Sequence, residues 1–230
     1  MRRYLLLGLF GLVGVASADP VPEPKGQERL KWLYGEPVGI PRDCSVELTA
    51  DDRLQMRLPK AAGAGFDTPV VKFRTIRPVT GDFVATVRIF DQSNASPPTG
   101  GNEKLSTAAG LIVGDTTWTG VVFALARTPG HPTLKRAATY WVADRGGGTQ
   151  YFEDIPRESN WLRLTRRGGV WTFERSADGS DWTETAFPVA KPELLLGKTT
   201  IGLFAVNSGD APYFVEFDKF TVVRPGAAKK

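Results

Sequence analysis

Alternation with a period of two is the feature that most constrains this chain. Leu54, Met56 and Leu58 alternate with Gln55 and Arg57, and Phe83, Ala85, Val87 and Ile89 alternate with Val84, Thr86, Arg88 and Phe90. Successive side chains of a strand point to opposite faces, so this spacing predicts half-buried strands. Further strands are expected at 70–73, 108–113, 119–127, 138–144, 161–166, 170–175, 200–206 and 214–223. Gly, Asp and Pro fall between them, and 25 glycines match the number of turns that about a dozen short strands need. No stretch has a sustained helical period with caps, apart from a turn at 26–34. The expected fold class is therefore all-β: an antiparallel two-sheet sandwich, with no internal repeat of propeller or solenoid length.

The N-terminus reads as an export signal. Arg2 and Arg3 precede an apolar run over 4–15, and Ala16-Ser17-Ala18 supplies small residues before Asp19 and Pro20. The run is shorter than the roughly 20 residues that span a bilayer, so cleavage after Ala18 is expected rather than retention as a membrane helix. Arg2 and Arg3 lack the polar lead-in of a twin-arginine signal, which favours general secretion. The expected organisation is a signal peptide at 1–18, a flexible Pro-rich leader at 19–28, one sandwich domain at 29–224 and a disordered tail at 225–230. The expected location is secreted or periplasmic.

Composition excludes several classes. Cys44 is the single cysteine, so no internal disulfide forms and the core must stabilise the fold, with Cys44 packed as a small hydrophobe. Without Arg2 and Arg3 the chain keeps 27 basic and 25 acidic residues, a net charge of +2. The basic residues are scattered, which argues against a nucleic-acid partner. One His and one Cys cannot supply the usual ligand set of a structural zinc site. His131 lies in a Pro-Gly-His-Pro turn with no catalytic partner evident in sequence. The one cofactor the loops invite is a structural calcium, with Asp91, Asn94 and Asn102 as oxygen ligands.

Several segments together carry a resemblance. They are Arg77-Pro78-Val79-Thr80-Gly81-Asp82-Phe83, Trp161-Leu162-Arg163-Leu164-Thr165-Arg166, Gly169-Val170-Trp171-Thr172-Phe173, Ser176-Ala177-Asp178-Gly179-Ser180-Asp181-Trp182, Ile201-Gly202-Leu203-Phe204-Ala205 and Phe217-Asp218-Lys219-Phe220. In this order they resemble the DUF1349 family over about 44–224. That resemblance implies a jelly-roll sandwich like the concanavalin A lectins and laminin-G-like glucanases; a discoidin-like sandwich shares the Ser176 to Trp182 motif and is the alternative. The residues themselves predict a tight turn at Arg167-Gly168-Gly169 and a second at Asp178-Gly179. There Asp178 accepts turn amides, Gly179 takes the left-handed conformation, and Ser176 faces Trp182 across the stem.

The chemistry then narrows to sugars. A retaining glycosidase needs two carboxyls about 5 Å apart, and no strand offers the Glu-x-Asp-x-Glu pattern that the related glucanases use. Glu47, Asp51 and Asp52 are expected at a hairpin tip, and Glu153 and Asp154 before a proline. Glu216 and Asp218 share a strand face and are expected to be structural. Six Trp and five Tyr offer flat apolar faces for sugar stacking. Trp118, Tyr140, Trp141 and Trp171 are the aromatic ligand-binding candidates. Arg163 and Glu174 join them: with Leu162 and Leu164 inward, Arg163 points out and meets Glu174 across a hairpin, as a surface ion pair or the floor of a glycan groove. The expected function is a non-catalytic, carbohydrate-binding module with a polysaccharide or glycan partner. The alternatives are a glycoside hydrolase or lyase on the same fold, and a structural or adhesive envelope protein.

Overall fold

A computed structural model describes residues 24–38, 40, 42–60, 71–93, 107–115, 120–127, 135–143, 146–185, 199–207 and 209–225, with side chains described except at 71–73, 127, 140–143 and 146–150. The expected signal peptide, His131, and Gly226 to the C-terminus lie outside the described residues. One helix, α1 (Gly26–Tyr34), precedes β1 (Glu36–Val38), β2 (Ser45–Leu48), β3 (Leu54–Leu58), β4 (Val71–Val79), β5 (Phe83–Gln92), β6 (Thr107–Gly114) and β7 (Gly120–Arg127). Then follow β8 (Lys135–Ala143), β9 (Gly146–Ile155), β10 (Trp161–Arg167), β11 (Val170–Ser176), β12 (Thr183–Glu184), β13 (Thr199–Asn207) and β14 (Tyr213–Val223). They form two antiparallel sheets of seven strands, ordered β1-β4-β13-β6-β7-β8-β9 and β12-β11-β10-β5-β14-β3-β2.

The period-two strands behave as their pattern requires. Leu54, Met56, Leu58, Phe83, Ala85, Val87, Ile89, Leu162, Leu164 and Phe173 all turn inward from the second sheet and are buried. From the first sheet Leu111, Val113, Val121, Phe123, Leu125, Ile201 and Leu203 join the same core. Each such side chain contributes about 1.5–3 kcal/mol by leaving water. The first sheet differs in one respect. Ala108, Ile112, Val122, Ala124, Ala126, Ala138, Phe204 and Val206 lie on its other face and are buried in a second apolar cluster. The near-continuous apolar text of β6, β7 and β13 follows from burial on both faces.

The structure corrects several boundaries. The helix starts at Gly26, inside the leader expected to be flexible to Glu28. It is tied down: Leu30 and Tyr34 are buried, Arg29 makes a bidentate pair with Asp52, and the Tyr34 hydroxyl donates to the carbonyl of Asp52 at 2.7 Å. Strand β9, which opens on Gly146-Gly147-Gly148, is not among the strands expected from the sequence. Glu153 and Asp154 therefore belong to a strand, and Glu47 lies within β2 opposite Gln55. Cys44 is half-buried against the core, and burial, then the Asp43 charge, pushes its thiol pKa up. Among the described residues no helix is long and apolar enough to cross a membrane.

Where the chain passes between the sheets, over 156–160, polar contacts fix the crossing. The buried Lys135 ammonium donates to the carbonyls of Arg157 and Ser159 at 3.0 and 3.1 Å and to Oδ1 of Asn160. Arg175 of β11 reaches Glu153 of β9 at 3.0 Å, joining the two sheets along this side. That crossing delivers Trp161 and Arg163 to the outer face of the second sheet.

Candidate functional site

Register builds the site. Strand β10 sets Arg163 opposite Glu174 of β11 and Thr86 of β5, and sets Trp161 opposite Ser176 and Arg88. Strand β11 then sets Glu174 opposite Glu184 and Arg175 opposite Thr183 of β12. Since Leu162, Leu164 and Phe173 face inward, the residues between them point outward.

Arg163 and Glu174 are a bidentate pair, with Nε donating to Oε2 at 2.6 Å and Nη2 to Oε1. Their side chains are 27% and 17% exposed, so the pair is shielded from water without being buried. The guanidinium also stands over the indole of Trp182, 4.2 Å from the ring centroid. A second unit repeats the chemistry alongside. Arg88 makes a bidentate pair with Asp218, and its guanidinium lies 5.5 Å from the Trp161 ring and 5.0 Å from that of Phe90, which is exposed.

The 177–182 loop holds Trp182 in place. Oδ1 of Asp178 accepts the amides of Ser180 and Asp181 at 2.8 and 3.0 Å, and the Ser176 hydroxyl donates to it at 2.9 Å. The Ser180 hydroxyl donates to Oδ2. These donors, the Asp181 amide foremost, hold the Asp178 carboxyl far below the usual carboxylate range. Gly179 has φ of +83, as its place in the turn requires. The turn after β10 likewise puts Gly168 and Gly169 at φ +55 and +85.

Of the residues named from sequence, those whose side chains are described do not all come together. Arg163 and Glu174 meet as expected. Trp171 sits on the opposite face of β11, half-buried against the core, edge-on to Phe83 at 5.8 Å between centroids. Tyr140 and Trp141 lie on β8 of the other sheet, opposite Val122 and Val121, and their side chains are outside the described residues. Trp118 is outside them altogether. Of the calcium ligands, Asn94 and Asn102 are likewise outside, and Asp91 is exposed with Oδ1 accepting its neighbour's amide from Gln92 at 2.6 Å. No group of three or more His, Cys, Asp or Glu among the described residues is placed to hold a metal.

Glu216 and Asp218 share the outer face, and each is engaged separately. Glu216 accepts from Gln55 Nε2 at 2.6 Å and lies 3.6 Å from Arg53, while Asp218 belongs to Arg88. Sequence reasoning missed Trp161, Trp182 and Arg88 as companions of Arg163. Parity in the sequence puts Trp161 on the same face as Arg163, two residues apart on β10, whereas Trp182, just before β12, reaches Arg163 only through strand order.

No family model matches the chain, and no curated protein matches it. Solved structures do. A functionally unknown protein from Saccharomyces cerevisiae matches with a TM-score of 0.55 and 17% identity, over 82% of this chain and 95% of that one. The alginate lyase from Klebsiella pneumoniae matches with a TM-score of 0.50 and 9% identity, over 83% of this chain and 87% of that one. The GH43 protein BlXynB from Bacillus licheniformis matches with a TM-score of 0.49 and 16% identity, over 74% of this chain and 33% of that one. At such identities the likeness is one of fold, and the fold is the antiparallel jelly-roll sandwich of the concanavalin A type.

Proposed function

We propose that this chain is an exported carbohydrate-binding module of the DUF1349 kind, and that it holds glycan on the outer face of the second sheet at Trp182, Arg163 and Glu174. The observation that carries the reading is the indole of Trp182 fixed beside a shielded, bidentate ion pair. A flat apolar ring gives a sugar a stacking surface, and a guanidinium locked to a carboxylate offers donors and acceptors to neighbouring hydroxyls. Both are held before any ligand arrives, which lowers the ordering cost of binding. Export rests on the N-terminal pattern of Arg2, Arg3, the apolar run and Ala16-Ser17-Ala18.

The hydrolase or lyase alternative is less well supported. Each of the carboxylates Glu174, Asp218 and Glu216 on the outer face is engaged by an arginine: Glu174 by Arg163, Asp218 by Arg88 and Glu216 by Arg53. Carboxylate oxygens already held by guanidinium donors are not free to engage a glycosidic oxygen or a sugar carbon.

The test is affinity electrophoresis through soluble neutral polysaccharides, with wild type and Trp182→Ala. Retardation of wild type and at least a tenfold loss in the variant, with unchanged thermal unfolding, is expected. Absence of any retardation, or equal retardation of both proteins, overturns the assignment.

A further inference from the structure

Charge around Trp182 is lopsided. Glu174 is neutralised by Arg163, whereas Asp181 and Glu184 are exposed and no ion pair among the described residues engages either. Asp178 is bonded only by hydroxyls and amides, so its negative charge also stays uncompensated. Glu184 stands directly opposite Glu174 across the β11–β12 ladder, on the face where the indole lies. Asp181 adjoins Trp182 in the chain and Glu184 follows two residues later on the same outer face, so carboxylates without an arginine or lysine partner among the described residues flank the ring on both sides in sequence. The indole adds to the bias, because an aromatic face attracts cations, and one face of Trp182 already carries a guanidinium.

Resting on the glycan-binding reading above, we infer that the Trp182 site takes sugars bearing protonated amino groups and discriminates against uronates and sulfated sugars. A sugar stacked on Trp182 brings its ring substituents to the rim that Asp181 and Glu184 form. An ammonium there gains from the free carboxylates, and an acid group is repelled by them. The Arg163 guanidinium does not reverse this, since its charge is spent on Glu174.

The experiment compares three hexamers by calorimetry in mildly acidic buffer, where sugar amines are protonated. They are β-1,4-linked glucosamine, its fully N-acetylated counterpart, and an oligouronate. The glucosamine hexamer is expected to bind about tenfold more tightly than the acetylated one, with the oligouronate weakest. In about 1 M salt, where the screening length is about 3 Å, that preference should collapse. The double variant Asp181→Asn, Glu184→Gln should bring the glucosamine hexamer down to the level of the acetylated one on wild type. Equal binding of the first two hexamers, or tighter binding of the oligouronate, overturns the inference. If the acetylated hexamer binds through Trp182 without amine preference, the binding-module reading stands and this one falls; if no hexamer binds, this inference falls and the electrophoresis above decides the binding-module reading.

Discussion

The Cα of Gly179 lies against the indole of Trp161 so closely that a β-carbon at residue 179 would come 2.9 Å from Cε2 of the ring. The same residue has φ of +83. Glycine is thus required here twice, once by the turn and once by the packing of the loop on β10. Gly179→Ala should lower stability by about 3 kcal/mol, the sum of a left-handed backbone and an overpacked contact. In a domain of this size the thermal midpoint should fall by about 6–12 °C. A midpoint within a degree of wild type would show that the loop does not rest on Trp161 in solution.

Acid should weaken the fold through the same loop. Asp178 has a folded pKa depressed below its ordinary 3.8 by the Asp181 and Ser180 amides and the two serine hydroxyls. Asp52 is depressed too, by its hydrogen bonds from Arg29. For such groups the native state binds fewer protons than the unfolded chain. Their stabilisation is complete well above pH 3.8 and is lost as the pH falls through that value toward the folded one. Urea unfolding midpoints should therefore decline on acidification below that point, and Asp178→Asn should flatten part of the decline while lowering the midpoint at neutral pH. Parallel curves for the two proteins would remove Asp178 from the account.

At the alkaline end Tyr34 is the marker. Burial, reinforced by the Asp218 charge, pushes its phenol up to about 12 from 10.0. Its folded pKa is raised, so the contribution is fully present below 10 and lost as the pH rises toward 12. Spectrophotometric titration of the tyrosines should show a late ionisation that Tyr34→Phe abolishes. The hydroxyl donates to the carbonyls of Asp52 and Phe217 at 2.7 and 3.2 Å. Losing it should cost about 1–2 kcal/mol, because the Phe217 carbonyl shares its buried setting. A titration unchanged by the substitution would contradict the docked helix.

What could be read in the sequence follows from which physics is local. A strand such as Phe83–Gln92 was legible because one face is buried and the other partly exposed, and alternation records that directly. The turns at Gly168-Gly169 and Asp178-Gly179 were legible for a similar reason, since backbone conformation selects the residue. Strand Gly146–Ile155 was not, because its glycines carry turn text into a ladder held by its neighbour β8. The Arg163–Glu174 pair could be foreseen from hairpin register alone. Its companions could not: Trp182 arrives beside β12 and Arg88 from β5, and strand order across a sheet is a long-range property. Trp171 is a different case: it stands two residues from buried Phe173 on β11, and that local parity already puts it on the core side.

The first sheet's central strands, apolar toward both sides, have a consequence for the nascent chain. Thr107–Gly114 and Thr199–Asn207 contain no charged residue, and neither does Val121–Ala126 of the strand between β6 and β8. Before the sheets close, each such segment is a short, uncharged, β-prone run of the kind that cross-pairs with copies of itself. The strand that completes the ladder beside β6 lies far off in sequence, with Ala109 waiting for Ala205. Folding is then a race between a slow, non-local closure and self-association, and refolding yield should fall steeply as protein concentration rises.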